Sequence, residues 1–531
     1  MYTTEVRKVF ISYCFLLLVS QCHCFIPESF ISCLSKQFPS DEPIFSVLHD
    51  RRNASYQSVL ESNLQNLRFL KSAKPLAIIT PLLYSHVQAA VVCCKRAGLQ
   101  IRIRSGGNDY EGLSYRSEVP YIILDLQNLR SIMVDIDDNS AWVESGATIG
   151  ELYYEIAEKS PVHAFPAGVY PTVGVGGHLS GGGLGTMLRK YGLAADNILD
   201  AHIVDAEGRL LNRESMGTDL FWAIRGGGGA SFGVIVAWKI KLVHVPPVVT
   251  VFDLAKTLEE GAIDLTHKWQ TVGPNLNEDA FLAASIMADP SSENITLLAG
   301  FFSLFLGTAD QLLKEMGESF PELGLRKEHC LEMSWIKAAL HFSGYESGET
   351  VYALQNRKPP QPKHCITVRS DFIQEPLSLP ALDKLWKFLS EEENPPIIAM
   401  LPHGGMMSKI SETEIPYPYR EGVIYSFFYE LIWDCEDDSL SERYVSALTR
   451  LYDHMTPYVL KHPRGSFLNM RSLEIGKNDD YGTTYSKAEE WGLKYFKNNF
   501  KRLAITKGAV DPDNFFYFEQ SIPPLASKDE L

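Results

Sequence analysis

Basic charge is in short supply in this 531-residue chain: 49 lysines and arginines stand against 65 aspartates and glutamates, a formal net charge of -16. A phosphate backbone needs a basic face, so nucleic acid is excluded as a partner. The acidic balance mildly favours a cationic small molecule. Cysteine is scarce as well, with nine residues, and no pair has the spacing of a zinc site; Cys93-Cys94 are adjacent rather than CxxC. Only one long apolar run is present, Val9 to Val19, and it is too short to span a bilayer comfortably. No low-complexity tract or internal repeat occurs. With 45% apolar and 21% charged residues the chain is not disordered. No glycine run completes G-x-G-x-x-G between a strand and a helix, and none reads G-x-x-x-x-G-K-[ST]. A Rossmann dinucleotide site and a P-loop are both disfavoured.

Arg7 and Lys8 precede the apolar run and a small or polar stretch follows, which reads as a secretory signal peptide over residues 1–24. The last four residues are Lys528-Asp529-Glu530-Leu531, a retrieval address for the endoplasmic reticulum lumen. Residence there, or in vesicles or a vacuole derived from it, is expected, with no transmembrane span. Two sequons, at Asn53 and Asn294, are candidates for glycosylation.

The length exceeds what one core supports, so several subdomains are expected. Strand patterns at residues 74–81, 101–104, 121–126, 141–145, 202–205 and 233–242 alternate with helical ones at 85–97 and 149–159. They define an N-terminal part (25–70) and a first domain (71–247) ending near Pro246-Pro247. Longer strands at 280–287, 295–305 and 422–433, with helices at 309–316, 379–392 and 442–451, suggest a second domain over 248–480. That domain is α+β with a mostly antiparallel sheet. The segment 481–531 returns to the first domain.

Glycine is concentrated in three places: Gly106-Gly107, the stretch from Gly174 to Gly185, and Gly226 to Gly229. Glycine lets successive backbone N–H groups converge on an anion without a Cβ in the way, and a diphosphate is the natural guest. Tight turns at a domain junction are the alternative.

The segment Arg104-Ser105-Gly106-Gly107-Asn108-Asp109-Tyr110-Glu111-Gly112-Leu113-Ser114-Tyr115 resembles the RSGGHSYEGLSY motif of the berberine bridge enzyme-like flavoproteins. Pro171-Thr172-Val173-Gly174-Val175-Gly176-Gly177-His178, the loop Ser180–Gly185, Lys190–Asn197, Phe221–Gly229 and the tail from Tyr495 to Pro524 resemble its further motifs. The resemblance runs from about Cys33 to Pro524. It implies a fold of α+β class: a vanillyl-alcohol-oxidase-type (PCMH-type) FAD-binding domain with an α+β substrate domain. It also implies a Cys33–Cys93 disulfide; separately, no metal and a monomer are expected. The cofactor contacts it implies are Arg104, Ser105, Gly106, Gly107, Asn108 and Asp109 in the first loop, and Tyr170, Thr172, Val173, Gly174, Gly176, Gly177, His178, Ser180, Gly181 and Gly183 in the second. Further contacts are Asp196, Asn197, Gly233, Ile235, Asn499 and Tyr517, with Tyr110 beside them. His178 could instead bond the backbone of a glycine loop.

The chain departs from the family pattern at three places. Family members tether FAD to the histidine of RSGGH and to a cysteine of GxCPTVG; here Asn108 and Tyr170 hold those positions, so FAD is expected to be non-covalent. The position of the berberine bridge enzyme's basic glutamate is Phe428, and a tyrosine used by other members is Met470. Residues two apart on a strand share a face, so Glu430 can reach the same pocket if the strand is regular, or else lie at the surface. Oxidising an alcohol needs a base for the O–H proton, whereas an amine's lone pair itself drives hydride out. The expected activity is oxidation of an alkaloid amine to an iminium by hydride transfer to flavin N5, with O2 reduced to H2O2. Phe428 would line the pocket and Glu430 would steady the cation. The specific expectation is O-acetylstemmadenine, of the monoterpene indole class, giving precondylocarpine acetate. The alternatives are a carbohydrate or monolignol oxidase or dehydrogenase of the same family, and a non-catalytic secreted binding protein.

Overall fold

A computed structural model describes residues 26–38, 43–72, 74–290, 296–345, 348–358, 360–435, 439–479 and 483–526. The expected signal peptide, the Asn294 sequon and the Lys528–Leu531 signal lie outside these residues. Among the described residues no helix is long and apolar enough to cross a membrane, and no His, Cys, Asp and Glu cluster could hold a metal ion. Asn53 is exposed.

Two larger sheets build most of the first half, beside a two-stranded one of His163–Ala164 and Val243–His244. One runs in the order Leu48–Asp50, Ala77–Ile79, Tyr121–Asp125, Gln100–Arg104, its last three strands parallel. Short buried runs such as Ala77-Ile78-Ile79 form it because both faces are covered. The helix Tyr84–Ala97 packs on it and ends at Gly98, whose φ of 65° suits a glycine cap. The other sheet is antiparallel: Ile132–Asp135, Ser140–Glu144, Val234–Lys241, Ile198–Val204, Leu210–Leu211. Beside it, helix Ile149–Lys159 opens with a capping box between Thr148 and Glu151.

The second half is one antiparallel sheet of seven strands, in the order Leu331–Met333, Val249–Lys256, Leu297–Phe305, Ala280–Ala288, Ile397–Pro402, Tyr425–Trp433, Cys365–Ile373. Its two faces have different tasks. Phe427, Tyr429 and Leu431 pack with the helices Ala262–Val272, Leu379–Ser390 and Ser439–Met455. Phe428, Glu430 and Ile432 point the other way, toward the first half.

Buried polar groups lock the halves together. Arg189 is 1% exposed, and its guanidinium donates to the carbonyl oxygens of Pro274, Leu276, Asn277, Ala280 and His403. Arg420 meets Asp196 through two bonds of 2.9 and 2.7 Å. The C-terminal tail docks on the first half through Lys507, which is fully buried and bonds Asp511, Ser231 O and Phe516 O. Cys33 and Cys93 are joined, as the resemblance implies, and a second disulfide links Cys365 to Cys435. Two disulfides fit an oxidising, secretory-route compartment.

Candidate active site

Between the glycine loops of the first half and the free face of the seven-stranded sheet lies a cavity of about 720 Å³. Its size is that of a ligand site, for which about 300–1,000 Å³ is usual.

One wall is backbone. Ser105, Gly106, Gly107, Asn108 and Asp109 line it, as do Tyr170, Val173, Gly174, Gly176, Gly177, His178, Ser180 and Gly181, with Gly233 and Ile235 beneath. The sequence explains why these loops can meet. A Cβ on Gly106 would lie 2.3 Å from the Gly174 nitrogen, and one on Gly107 1.5 Å from the Asn63 oxygen. Gly107 also has φ 68°, in the left-handed region that glycine tolerates.

The wall fits a flavin dinucleotide. The amide N–H groups of Gly106, Gly107, Asn108 and Asp109 have no acceptor among the described residues, so four donors from consecutive residues are free for an anion. A Cβ on Gly177 would meet nothing within 4 Å, which leaves that backbone open to close approach. The buried hydroxyls of Ser114 and Ser145 line the cavity without a partner among the described residues. Buried polar groups are normally satisfied, so these point to a polar guest.

The opposite wall includes Gln361, Lys363, His364, Asn469 and Arg471, but the residues its strands contribute are apolar with one exception. Ile366, Ile397, Ala399, Leu401, Phe428 and Ile432 come from three neighbouring strands, with Phe467 and Met470 beside them. Phe428 stacks on Phe467 with 5.9 Å between ring centroids. The exception is Glu430. No side-chain bond reaches its carboxyl among the described residues, and burial pushes its pKa up to about 7. Tyr110 and Tyr170 share the cavity, and the pKa of each is raised, first by burial and then by the Glu430 charge. Neither phenol ionises at neutral pH.

His178 is half-buried and its Nε2 accepts from the Gly168 amide at 3.0 Å. Burial lowers its pKa to about 4, so the ring is neutral and the proton sits on Nδ1. That arrangement braces the loop carrying Tyr170.

Seven expected cofactor contacts do not line the cavity, and the structure gives each another task. Arg104 is buried on Asp125 and on the Val59 and Leu60 carbonyls. The Thr172 carbonyl accepts from Asn108, and Gly183 donates to Asn469. Asp196 is committed to Arg420. Asn197 holds the carbonyls of Tyr191 and Leu193, and Asn499 donates to the Glu412 carbonyl at 2.6 Å. The Tyr517 hydroxyl donates to the Asp479 carbonyl. These seven contacts belong to the frame around the cavity. Conversely, Ile397, Ala399, Leu401 and Asn469 were not expected. Asn469 donates to Gly177 O and accepts from Gly183 N, tying the second half to the glycine loop.

Known proteins share this arrangement. A family profile described as FAD binding domain matches residues 75–213, and one described as berberine and berberine like matches 466–523. The O-acetylstemmadenine oxidase of Catharanthus roseus is 68% identical over 519 residues, covering 98% of both chains. The tetrahydroberberine oxidase of Berberis wilsoniae is 51% identical over 507 residues, covering 94% of each. Among solved structures, BBE-like 28 from Arabidopsis thaliana superposes with a TM-score of 0.88 at 44% identity, over 94% of this chain and 100% of that one.

Proposed function

The chain belongs to the berberine bridge enzyme-like family of FAD-dependent oxidoreductases, and on that premise we propose that it is an oxidase of an alkaloid amine with a dissociable FAD. The observation that carries the reading is Glu430: a half-buried carboxyl, without a partner among the described residues, set among strand residues that are otherwise apolar. The substrate we assign is O-acetylstemmadenine, the molecule named for the 68% identical relative, and the product is precondylocarpine acetate.

Ser105 to Asp109 and Gly174 to Gly181 hold the cofactor through backbone groups, and Asn108 and Tyr170 offer no histidine or cysteine for a tether. When bound, FAD would supply a hydride acceptor at N5 and a route for the electrons to O2, released as H2O2. Phe428, Phe467, Ile397 and Ala399 pack the alkaloid skeleton and exclude water. The ionised Glu430 carboxylate faces the amine and offsets the positive charge that grows on nitrogen as hydride leaves, an effect strengthened by the low-dielectric wall. No protein base is required, because the departing hydride is driven by the nitrogen lone pair. The protein works as a monomer in the endoplasmic reticulum lumen or vesicles derived from it.

A substrate panel read out by peroxide tests this assignment. O-acetylstemmadenine should give H2O2, while glucose and coniferyl alcohol should not. Turnover of either of those two, with none of the alkaloid, would shift the assignment to the carbohydrate or monolignol branch of the family.

A further inference from the structure

We infer that Asn108 is a staple that holds the cofactor loops in their binding shape before FAD arrives, the task a covalent tether would otherwise share. The inference rests on the reading that FAD is dissociable, and goes beyond it by assigning the residue that makes dissociable binding tight.

The geometry is specific. The Asn108 side-chain amide donates to the Gly106 carbonyl at 3.1 Å and to the Thr172 carbonyl at 3.0 Å. The first bond closes its own loop. The second crosses to the facing loop, whose turn is made by the Val173 amide on the Tyr170 carbonyl at 3.3 Å. One side chain therefore spends both of its N–H groups on two carbonyls of two segments. The crossing bond runs beside the point where the loops touch backbone to backbone, Gly106 against Gly174. The Ser105 hydroxyl anchors the same loop to the Ser145 carbonyl at 2.5 Å, and the Gln65 amide reaches the Gly107 carbonyl at 3.3 Å.

What the staple protects is the row of free amides from Gly106 to Asp109. Four N–H groups with no acceptor among the described residues repel one another and favour a loop that turns them outward. Fixing the carbonyls between them holds this cavity-lining row in one conformation, and a site already in its bound shape loses less entropy when its guest arrives. An imidazole has at most one neutral N–H and could not make both bonds. Asparagine here is a working part rather than the mere absence of histidine.

The test uses the full-length mature protein, stripped of FAD and titrated with FAD by fluorescence quenching, for wild type, Asn108→Ala and Asn108→Asp. Loss of two neutral hydrogen bonds should raise the FAD dissociation constant roughly 10-fold or more in Asn108→Ala. Asn108→Asp, which sets a carboxylate against two carbonyls, should weaken binding further. Hydrogen exchange on the FAD-free proteins supplies the second readout: the Gln65 and Val173 amides, which belong to the stapled loops, should exchange roughly 10-fold faster in both variants. FAD affinity within twofold of wild type in both variants would overturn the inference. Weakened affinity with unchanged exchange at Gln65 and Val173 would overturn it too, because Asn108 would then act by touching the cofactor alone. Flavin colour that pellets with acid-precipitated wild type would instead overturn the dissociable reading, whatever Asn108 does. If a variant fails to fold, Asn108→Ser, which keeps one donor, should show the same two changes at smaller size.

Discussion

At the scale of single residues, two titratable groups of the cavity wall pull stability in opposite directions with pH. Glu430 rises from its ordinary value near 4.5 to about 7 because burial penalises its charge. The folded, FAD-free protein therefore binds more protons than the unfolded chain between those values, and the contribution of Glu430 to stability declines as pH rises from 4.5 to 7. His178 falls from 6.5 to about 4. The unfolded chain binds more protons between 4 and 6.5, so its contribution grows with pH across that window and is flat above it. Glu430→Gln should thus raise the melting temperature of the FAD-free protein at pH 8, by up to about 3 kcal/mol of stability, and change it little at pH 4.5. Equal melting shifts at both pH values would show that burial does not raise the Glu430 pKa. In turnover the same substitution should cost roughly 10- to 100-fold in kcat/KM and abolish the decline of activity below pH 7 that the wild type is expected to show. A rate profile in Glu430→Gln that still falls below pH 7 would assign that decline to another group.

At the scale of elements, the strand Tyr425–Trp433 shows what the sequence makes legible. Its alternation places Phe428 and Glu430 on one face, and the structure puts both into the cavity. The strand Ile397–Pro402 beside it was missed. Its residues Ile397-Ile398-Ala399-Met400-Leu401 are apolar throughout, because one face meets the helices and the other meets the cavity, so no period is visible. The glycine loops were legible for the opposite reason: each glycine is required by a steric fact. Gly107→Ala would set a methyl 1.5 Å from the Asn63 oxygen at a positive φ. It should cost several kcal/mol, read as a lowered denaturation midpoint and little FAD-bearing protein. Residues assigned by resemblance alone were less secure. Asp196, Asn499 and Tyr517 stand in matching motifs, but each is spent on a frame contact that only the fold reveals. Burial on Asp125 hides Arg104 in the same way.

At the scale of the whole molecule, the cavity exists only because the two halves are held in register. Arg189 makes that hold with five main-chain carbonyls and no carboxylate, so no pattern of charges in the sequence could announce it. Arg189→Met would take the charged donor away from all five carbonyls, of which that of Asn277 keeps the Ala280 amide at 2.9 Å. It should lower the melting temperature by more than 5 °C, and FAD content should fall with it. Normal FAD content at a normal melting temperature would show that the halves meet without it. The disulfides Cys33–Cys93 and Cys365–Cys435 are each internal to one half, so reducing them should loosen the halves separately. Removing the first, by Cys33→Ser with Cys93→Ser, should cost about 2–5 kcal/mol. The central claim is that this cavity oxidises an alkaloid amine with bound, dissociable FAD. It is tested most directly by the visible spectrum of the FAD-loaded protein when O-acetylstemmadenine is added without oxygen. The account predicts that the flavin absorbance bleaches, returns when O2 is admitted with one H2O2 per flavin, and stays in the supernatant after acid precipitation. A flavin that stays oxidised in the presence of the alkaloid but bleaches with glucose or coniferyl alcohol would contradict it.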